Sequence, residues 1–167
     1  MGAVLAFVAA LALEPKHELV CEIKDKAVQE SSGLAASARH PGELYTVNDS
    51  GSQPVIYRFD LKGRIQNKVR LAGTQNVDWE DLAQARRQLF VADIGDNLAR
   101  RKTIEIAQIS ERDAERAEAR PKLYSLTYPD GPRNAEAFAV DPATGDFWIV
   151  EKVNGKSGVY WAAAPRP

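Results

Sequence analysis

The chain contains three copies of one short pattern, and this repetition restricts the folds open to it. Each copy starts on polar or acidic residues and continues as an apolar stretch, a turn, a second apolar stretch and a polar end. The copies run from Glu30 to Asp49, from Asp78 to Asp93 and from Asn134 to Glu151. Their first residues lie 48 and 56 positions apart. Units of this length built from successive strands are typical of β-propeller blades.

The composition fits a globular domain and excludes several classes of function. The chain has 167 residues, of which 44% are hydrophobic and 27% are charged. A net charge of −1 without a basic stripe argues against a nucleic-acid partner. Cys21 is the single cysteine, which excludes an intrachain disulfide and a thiolate metal cage. His17 and His40 lie near prolines, and no Gly-x-Ser-x-Gly sequence is present, so the sequence identifies no catalytic residue.

The apolar N-terminal segment, residues 1–18, is set apart from the domain formed by residues 19–167. Its first 13 residues are too short to span a bilayer, which needs about 20 residues, so we expect no membrane span. They have the length of a signal-peptide core, and Ala10-Leu11-Ala12 resembles a cleavage site, although no basic residue precedes Lys16. We therefore expect a secreted or periplasmic protein. The alternative is a strand or helix packed on the domain of a cytoplasmic protein.

Apolar runs of about five residues, separated by Gly- and Pro-containing turns, predict an all-β fold. We expect a partial β-propeller of about three four-stranded blades. The predicted strands lie near 31–37, 44–48, 55–60, 65–71, 81–85, 88–93, 103–109, 122–127, 136–140, 147–151 and 158–162. One segment differs, because residues 110–120 are rich in helix formers. Ser110 and Asp113 resemble a capping box and Pro121 ends the run, which predicts a short solvated helix.

Equivalent polar positions of successive blades should meet at one mouth of the propeller channel. Carboxylates and amides that converge without cysteine or histidine favour Ca²⁺, or Mg²⁺ with retained waters, over Zn²⁺. The alternative is that these side chains cap turns at strand ends. If a metal is bound, we predict a calcium-type site drawn from Glu30, Asn48, Asp78, Glu80, Asp93, Asn134 and Glu136; no other cofactor is expected.

Several strings resemble a bacterial family of predicted secreted β-propeller proteins, over roughly residues 20–162. The most specific are Ala92-Asp93-Ile94-Gly95-Asp96-Asn97 and Tyr128-Pro129-Asp130-Gly131-Pro132; others are Glu30-Ser31-Ser32-Gly33-Leu34 and Asp78-x-Glu80-Asp81-Leu82-Ala83. That family is more remotely similar to calcium-dependent six-bladed lactonases and phosphotriesterases and to YVTN/NHL-type propellers. The resemblance implies a propeller fold; the family has no settled activity to carry over.

The chain differs from that family in length, because family members are about twice as long and have enough blades for a closed ring. Three blades do not close a ring, and an open ring leaves two exposed β edges. Either the chain is a truncated copy, or two copies join as a homodimer with six blades. We expect a binding or scaffold propeller with an acidic channel mouth that can accept a small-molecule ligand. The alternatives are a calcium-dependent hydrolase of a lactone, ester or phosphoester, and a remnant without chemistry.

Overall fold

A computed structural model describes residues 18–164, whose regular structure is twelve β-strands and one turn of 3₁₀ helix. The strands are β1 Ser31–Ala36, β2 Glu43–Asn48, β3 Val55–Asp60, β4 Ile65–Leu71, β5 Trp79–Ala85, β6 Gln88–Asp93, β7 Ile104–Ser110, β8 Glu118–Ala119, β9 Lys122–Leu126, β10 Ala135–Val140, β11 Phe147–Glu151 and β12 Val159–Ala162. They form sheet A (β1-β2-β3-β4-β8), sheet B (β5-β6-β7-β9) and sheet C (β10-β11-β12). The predicted all-β fold is confirmed. Within residues 18–164 none of the three sheets closes on itself.

Each sheet begins with the same antiparallel hairpin. Three pairs of directly opposed residues occupy equivalent places in it: Leu34 and Thr46 in sheet A, Leu82 and Val91 in sheet B, and Phe138 and Ile149 in sheet C. A bulge interrupts the first strand of every hairpin shortly before these residues. The sequence repeat is therefore a structural repeat, and positions can be compared between the sheets.

The first strands of the three hairpins lie side by side, with β5 between β1 and β10. The Ser32 hydroxyl donates a hydrogen bond to the Glu80 carbonyl. On the other side of β5, the Asp81 carboxylate accepts the Phe138 N–H at 2.8 Å. Gly33 has φ +67°, and a Cβ there would lie 2.5 Å from the Leu82 nitrogen. Only glycine therefore allows β1 to approach β5 so closely.

Two apolar layers hold the three sheets together. Between sheets A and B, buried residues such as Tyr45, Val47 and Leu82 form one continuous cluster. Between sheets B and C, the Phe147 ring centroid lies 5.8 Å from that of Phe90 in an edge-to-face arrangement. Sheet B contributes one face to each layer, and sheets A and C cover these two faces. Stacked sheets bury their apolar residues in this way.

The predicted short helix over residues 110–120 is a single turn, and a strand follows it. Helix η1 is a single 3₁₀ turn over Asp113–Glu115 whose N-cap residue is Arg112, and the Ser110 hydroxyl of the predicted capping pair accepts the Asp113 N–H at 3.0 Å. The chain then forms β8, which pairs in parallel with β4. Ala114 and Ala119 are buried against sheet A, so the segment is not the solvated surface helix that its composition indicated. It links sheets A and B instead.

The apolar segment over residues 1–13, on which the expectation of export rests, lies outside the described residues. Among residues 18–164, no helix has the length and apolar character that crossing a membrane requires.

Candidate metal centre

Carboxylates from two sheets meet at the end of the first strands where the bulges lie. Asp49 follows β2, Asp78 precedes β5, and Glu80 occupies the bulge of β5. One oxygen of each carboxylate lies within 4.8 Å of the others. Asp78 is buried, whereas Asp49 and Glu80 are half-buried and reachable from solvent. This set, called the acidic triad below, could hold a metal ion.

The backbone of Gly95, in the turn after β6, allows the triad to be compact. Its N–H donates to the Asp78 carbonyl at 3.1 Å. A Cβ at this position would overlap Asp78 Cγ and Glu80 Oε1. Any larger residue would therefore push the two carboxylates apart.

Asn76 holds the loop of sheet A against the start of β5. Its Nδ2 donates to the carbonyls of Asn48 and Asp49 at 2.9 and 2.8 Å, and its Oδ1 accepts the Trp79 N–H at 3.1 Å. Because Asn76 is buried, these bonds are shielded from competing water. The amide thus fixes the backbone of Asp49 relative to Asp78.

The crowding of acidic groups changes their proton affinities. Burial, followed by the charge of Asp49, raises the pKa of Asp78 above its usual range. Burial, followed by the charges of Glu136 and Asp49, raises the pKa of Glu80 to about 7. Both effects disfavour the ionised form, so the triad without a cation is electrostatically strained at neutral pH. A bound cation would relieve that strain.

Asp93 belongs to a neighbouring ion pair rather than to the triad. Its carboxylate lies 2.6 Å from Arg101 Nη1 and accepts the backbone N–H of Asp78 at 3.1 Å. Arg101 also donates to the Gly95 carbonyl at 2.7 Å. The pair therefore supports the turn that carries Gly95 and the strand that carries Asp78.

The remaining predicted ligands have other contacts. Glu30 is exposed, and its carbonyl accepts the Asp49 N–H at 2.8 Å. Asn48 is buried and donates to the Ala27 carbonyl at 2.8 Å. Asn134 accepts the Asp96 N–H at 2.7 Å. Glu136 stands beside Glu80, but its carboxylate is paired with Lys152 Nζ.

The structure thus brings together Asp78 and Glu80 from the predicted set, with Asp49 as their partner. Asp49 was visible as the polar end of the first repeat, but it was absent from the predicted ligands. Asn76 and Arg101 do not stand out in the sequence, and Gly95 appears there only within the string from Ala92 to Asn97. Gly95 had a local signal, because a glycine between Asp93 and Asp96 indicates a close backbone approach.

Comparison with known proteins assigns no relative, because the chain matches no family model and no curated protein sequence.

Proposed function

We propose that this chain is a propeller-type binding module whose acidic triad holds a divalent cation of the calcium class. The observation that carries the proposal is the meeting of three carboxylates from two different sheets within 4.8 Å. Like charges at this separation repel unless a proton or a cation lies between them. Gly95 and Asn76 support the compact arrangement from two sides.

The donor atoms favour a hard cation. All three are carboxylate oxygens, which suit Ca²⁺ and Mg²⁺. Calcium accepts six to eight oxygens in irregular geometry, whereas magnesium requires a near-ideal octahedron. Three carboxylates on a half-exposed mouth leave positions for water or for oxygens of a small molecule, and we propose that such a ligand binds there through the cation.

The hydrolase alternative has less support from the geometry. It needs a general base beside the cation in addition to the cation itself. Glu136 is the carboxylate next to the triad, and Lys152 already pairs with it. The binding module is therefore the function that we favour, with hydrolysis of lactones, esters or phosphoesters as the second candidate.

Calorimetric titration of the chelator-treated protein with CaCl₂ and with MgCl₂ tests the proposal. We expect one site per chain, tighter for Ca²⁺, and an increase in the free energy of unfolding of about 2.7 kcal/mol at a hundredfold excess over Kd. Glu80→Gln should weaken binding at least tenfold. Glu118→Gln, which changes an exposed glutamate paired with Arg70, is the control and should bind like the wild type.

Absence of binding heat with both ions at millimolar concentration, together with an unchanged melting temperature, would refute the proposal. Equal loss of binding in Glu80→Gln and Glu118→Gln would also count against it, because the effect would then not come from the triad.

A further inference from the structure

A carboxylate is held between sheets A and B at the start of β2, whereas the acidic triad lies beyond the end of that strand. Glu115 of helix η1 supplies it, and its oxygens lie 3.0 Å from Arg58 Nη2 and 2.6 Å from His40 Nε2. Arg58 also pairs with Glu43, the first residue of β2. The neighbouring Ala114 is 1% exposed within the apolar layer. Helix η1 therefore places an apolar group and a carboxylate side by side against sheet A.

The structural repeat puts two glutamines of sheet B where sheet A has this ion pair. Gln108 takes the position of Arg58. Gln88, the first residue of β6, takes the position of Glu43. The Tyr124 hydroxyl donates to Gln108 Oε1 at 2.5 Å, and Gln108 Nε2 donates to Gln88 Oε1 at 3.1 Å. This chain of bonds leaves Gln88 Nε2 as a donor without an acceptor among residues 18–164.

A cavity of about 300 Å³, called the glutamine cavity below, lies beside these two side chains, between sheets B and C. Because Gln108 takes the position of Arg58, the cavity corresponds to the place that η1 fills against sheet A. The volume is at the lower limit of ordinary ligand pockets, and apolar walls suit the body of a small molecule. The apolar and aromatic part of the lining includes Phe90, Tyr124, Val140, Phe147 and Ala164.

The charged residue in the lining is a cation, Arg86. Its Nε donates to the Pro142 carbonyl at 2.7 Å, and its Nη2 donates to the Ala143 carbonyl. These acceptors are neutral, so within the part of the chain that the structure describes no carboxylate pairs with Arg86. Its Nη1 lies beside Gly145, which also lines the cavity and whose Cβ would be 3.8 Å away. In the equivalent turn of sheet A, by contrast, His40 contacts the Glu115 carboxylate.

We propose that the glutamine cavity binds a small carboxylic acid with an apolar body, in its ionised form. The internal repeat selects this class of ligand, because the equivalent place against sheet A holds a carboxylate beside an apolar group. Arg86 and Gln88 supply N–H donors for the carboxylate oxygens, and the bond from the guanidinium is charge-assisted. The cavity lies at the first residue of β6 and the acidic triad lies beyond its last residue, so the two sites are separate.

Titration of the full chain with sodium benzoate in the presence of EDTA, followed by NMR, tests this inference. We expect the side-chain amide signals of Gln88 and Gln108 and the Nε–H signal of Arg86 to shift at millimolar benzoate. Benzamide has the same ring without the charge and should bind at least tenfold more weakly. Arg86→Gln should weaken benzoate binding at least tenfold, because it removes the cation.

Arg87→Gln is the matched control. Arg87 shares the turn and its left-handed backbone, with φ +59°, but it is exposed and does not line the cavity. This variant should bind benzoate like the wild type. Gln88→Met removes the second donor and keeps the side-chain length, and it should also weaken binding. It decides the question if circular dichroism shows that Arg86→Gln does not fold.

Three results would overturn the inference. The first is a wild type whose Gln88 and Gln108 amide signals do not respond to millimolar benzoate. The second is equal binding of benzoate and benzamide, which would mean that the cavity does not select an anion. The third is an equal loss of affinity in Arg86→Gln and Arg87→Gln, which would mean that benzoate senses only the positive charge of the turn. EDTA removes divalent cations, so none of these results bears on the acidic triad.

Discussion

Replacing Glu80 by glutamine should stabilise the chelator-treated protein at alkaline pH and remove part of its pH dependence. The pKa of Glu80 is raised from 4.5 to about 7 in the folded chain. Between these two values the native state binds more protons than the unfolded state, so stability falls as the pH rises. Above pH 7 the Glu80 side chain is ionised in the folded and the unfolded state, and the full cost of its charge then lowers the stability of the folded state. Glutamine has similar size and no charge, so it relieves this cost at pH 8 and changes little at pH 5.

The magnitude follows from the shift and from the partial exposure of the side chain. A pKa moved from 4.5 to about 7 corresponds to ~3 kcal/mol without screening. Glu80 is half-buried and reachable from solvent, so screening reduces the expected effect to about 1–2 kcal/mol. Urea unfolding at pH 5 and pH 8 in the presence of EDTA measures it. Glu118→Gln is the control and should keep the pH dependence of the wild type.

The sign makes the experiment decisive. A glutamate held by favourable partners would lose stability on conversion to glutamine, whereas a carboxylate crowded by like charges gains it. If Glu80→Gln is destabilised at pH 8, or if its unfolding free energy keeps the wild-type slope between pH 5 and pH 8, the electrostatic account of the acidic triad is wrong.

Two further substitutions test the supports of the site. Gly95→Ala should separate Asp78 and Glu80, which lowers Ca²⁺ affinity at least tenfold in calorimetry and costs about 1–3 kcal/mol of stability; unchanged affinity would show that the triad does not need this close approach. Arg101→Met should cost about 3 kcal/mol in urea unfolding, because it leaves the buried Asp93 carboxylate without its counter-ion. Adding Asp93→Asn should recover part of that loss, and a double variant as unstable as the single one would contradict the ion-pair explanation.

The strands could be predicted because their signals are local. Alternating apolar residues and Gly- or Pro-containing turns identified every strand except β8, which has two residues. The single-turn helix shows the limit of such signals. Residues 110–120 favour a helix by propensity, but Ala114 and Ala119 are buried against sheet A and β8 pairs with β4, so tertiary contacts decide the conformation.

The site could be predicted only in part, because one residue of offset changes which side chain reaches it. Successive residues at the end of a strand point to opposite sides. Asn48 turns toward the segment before β1, where it donates to Ala27, and Asp49 reaches the triad. Arg101 contacts Asp93 across a loop of ordinary composition, and nothing in the sequence around it indicates that pairing.

The alternative that the acidic residues simply cap turns accounts for some of them and not for others. The Asp93 carboxylate accepts the backbone N–H of Asp78, and the Asp81 carboxylate accepts that of Phe138. Both carboxylates therefore stabilise the backbone of neighbouring strands. Within residues 18–164, the hydrogen bonds that cap backbone groups do not involve the Glu80 carboxylate. Glu80 instead lies in a bulge between other acids, where burial and like charges raise its pKa to about 7. A capping role gains nothing from that placement, whereas a cation would be stabilised by it, so Glu80 is the residue on which the two explanations make opposite predictions.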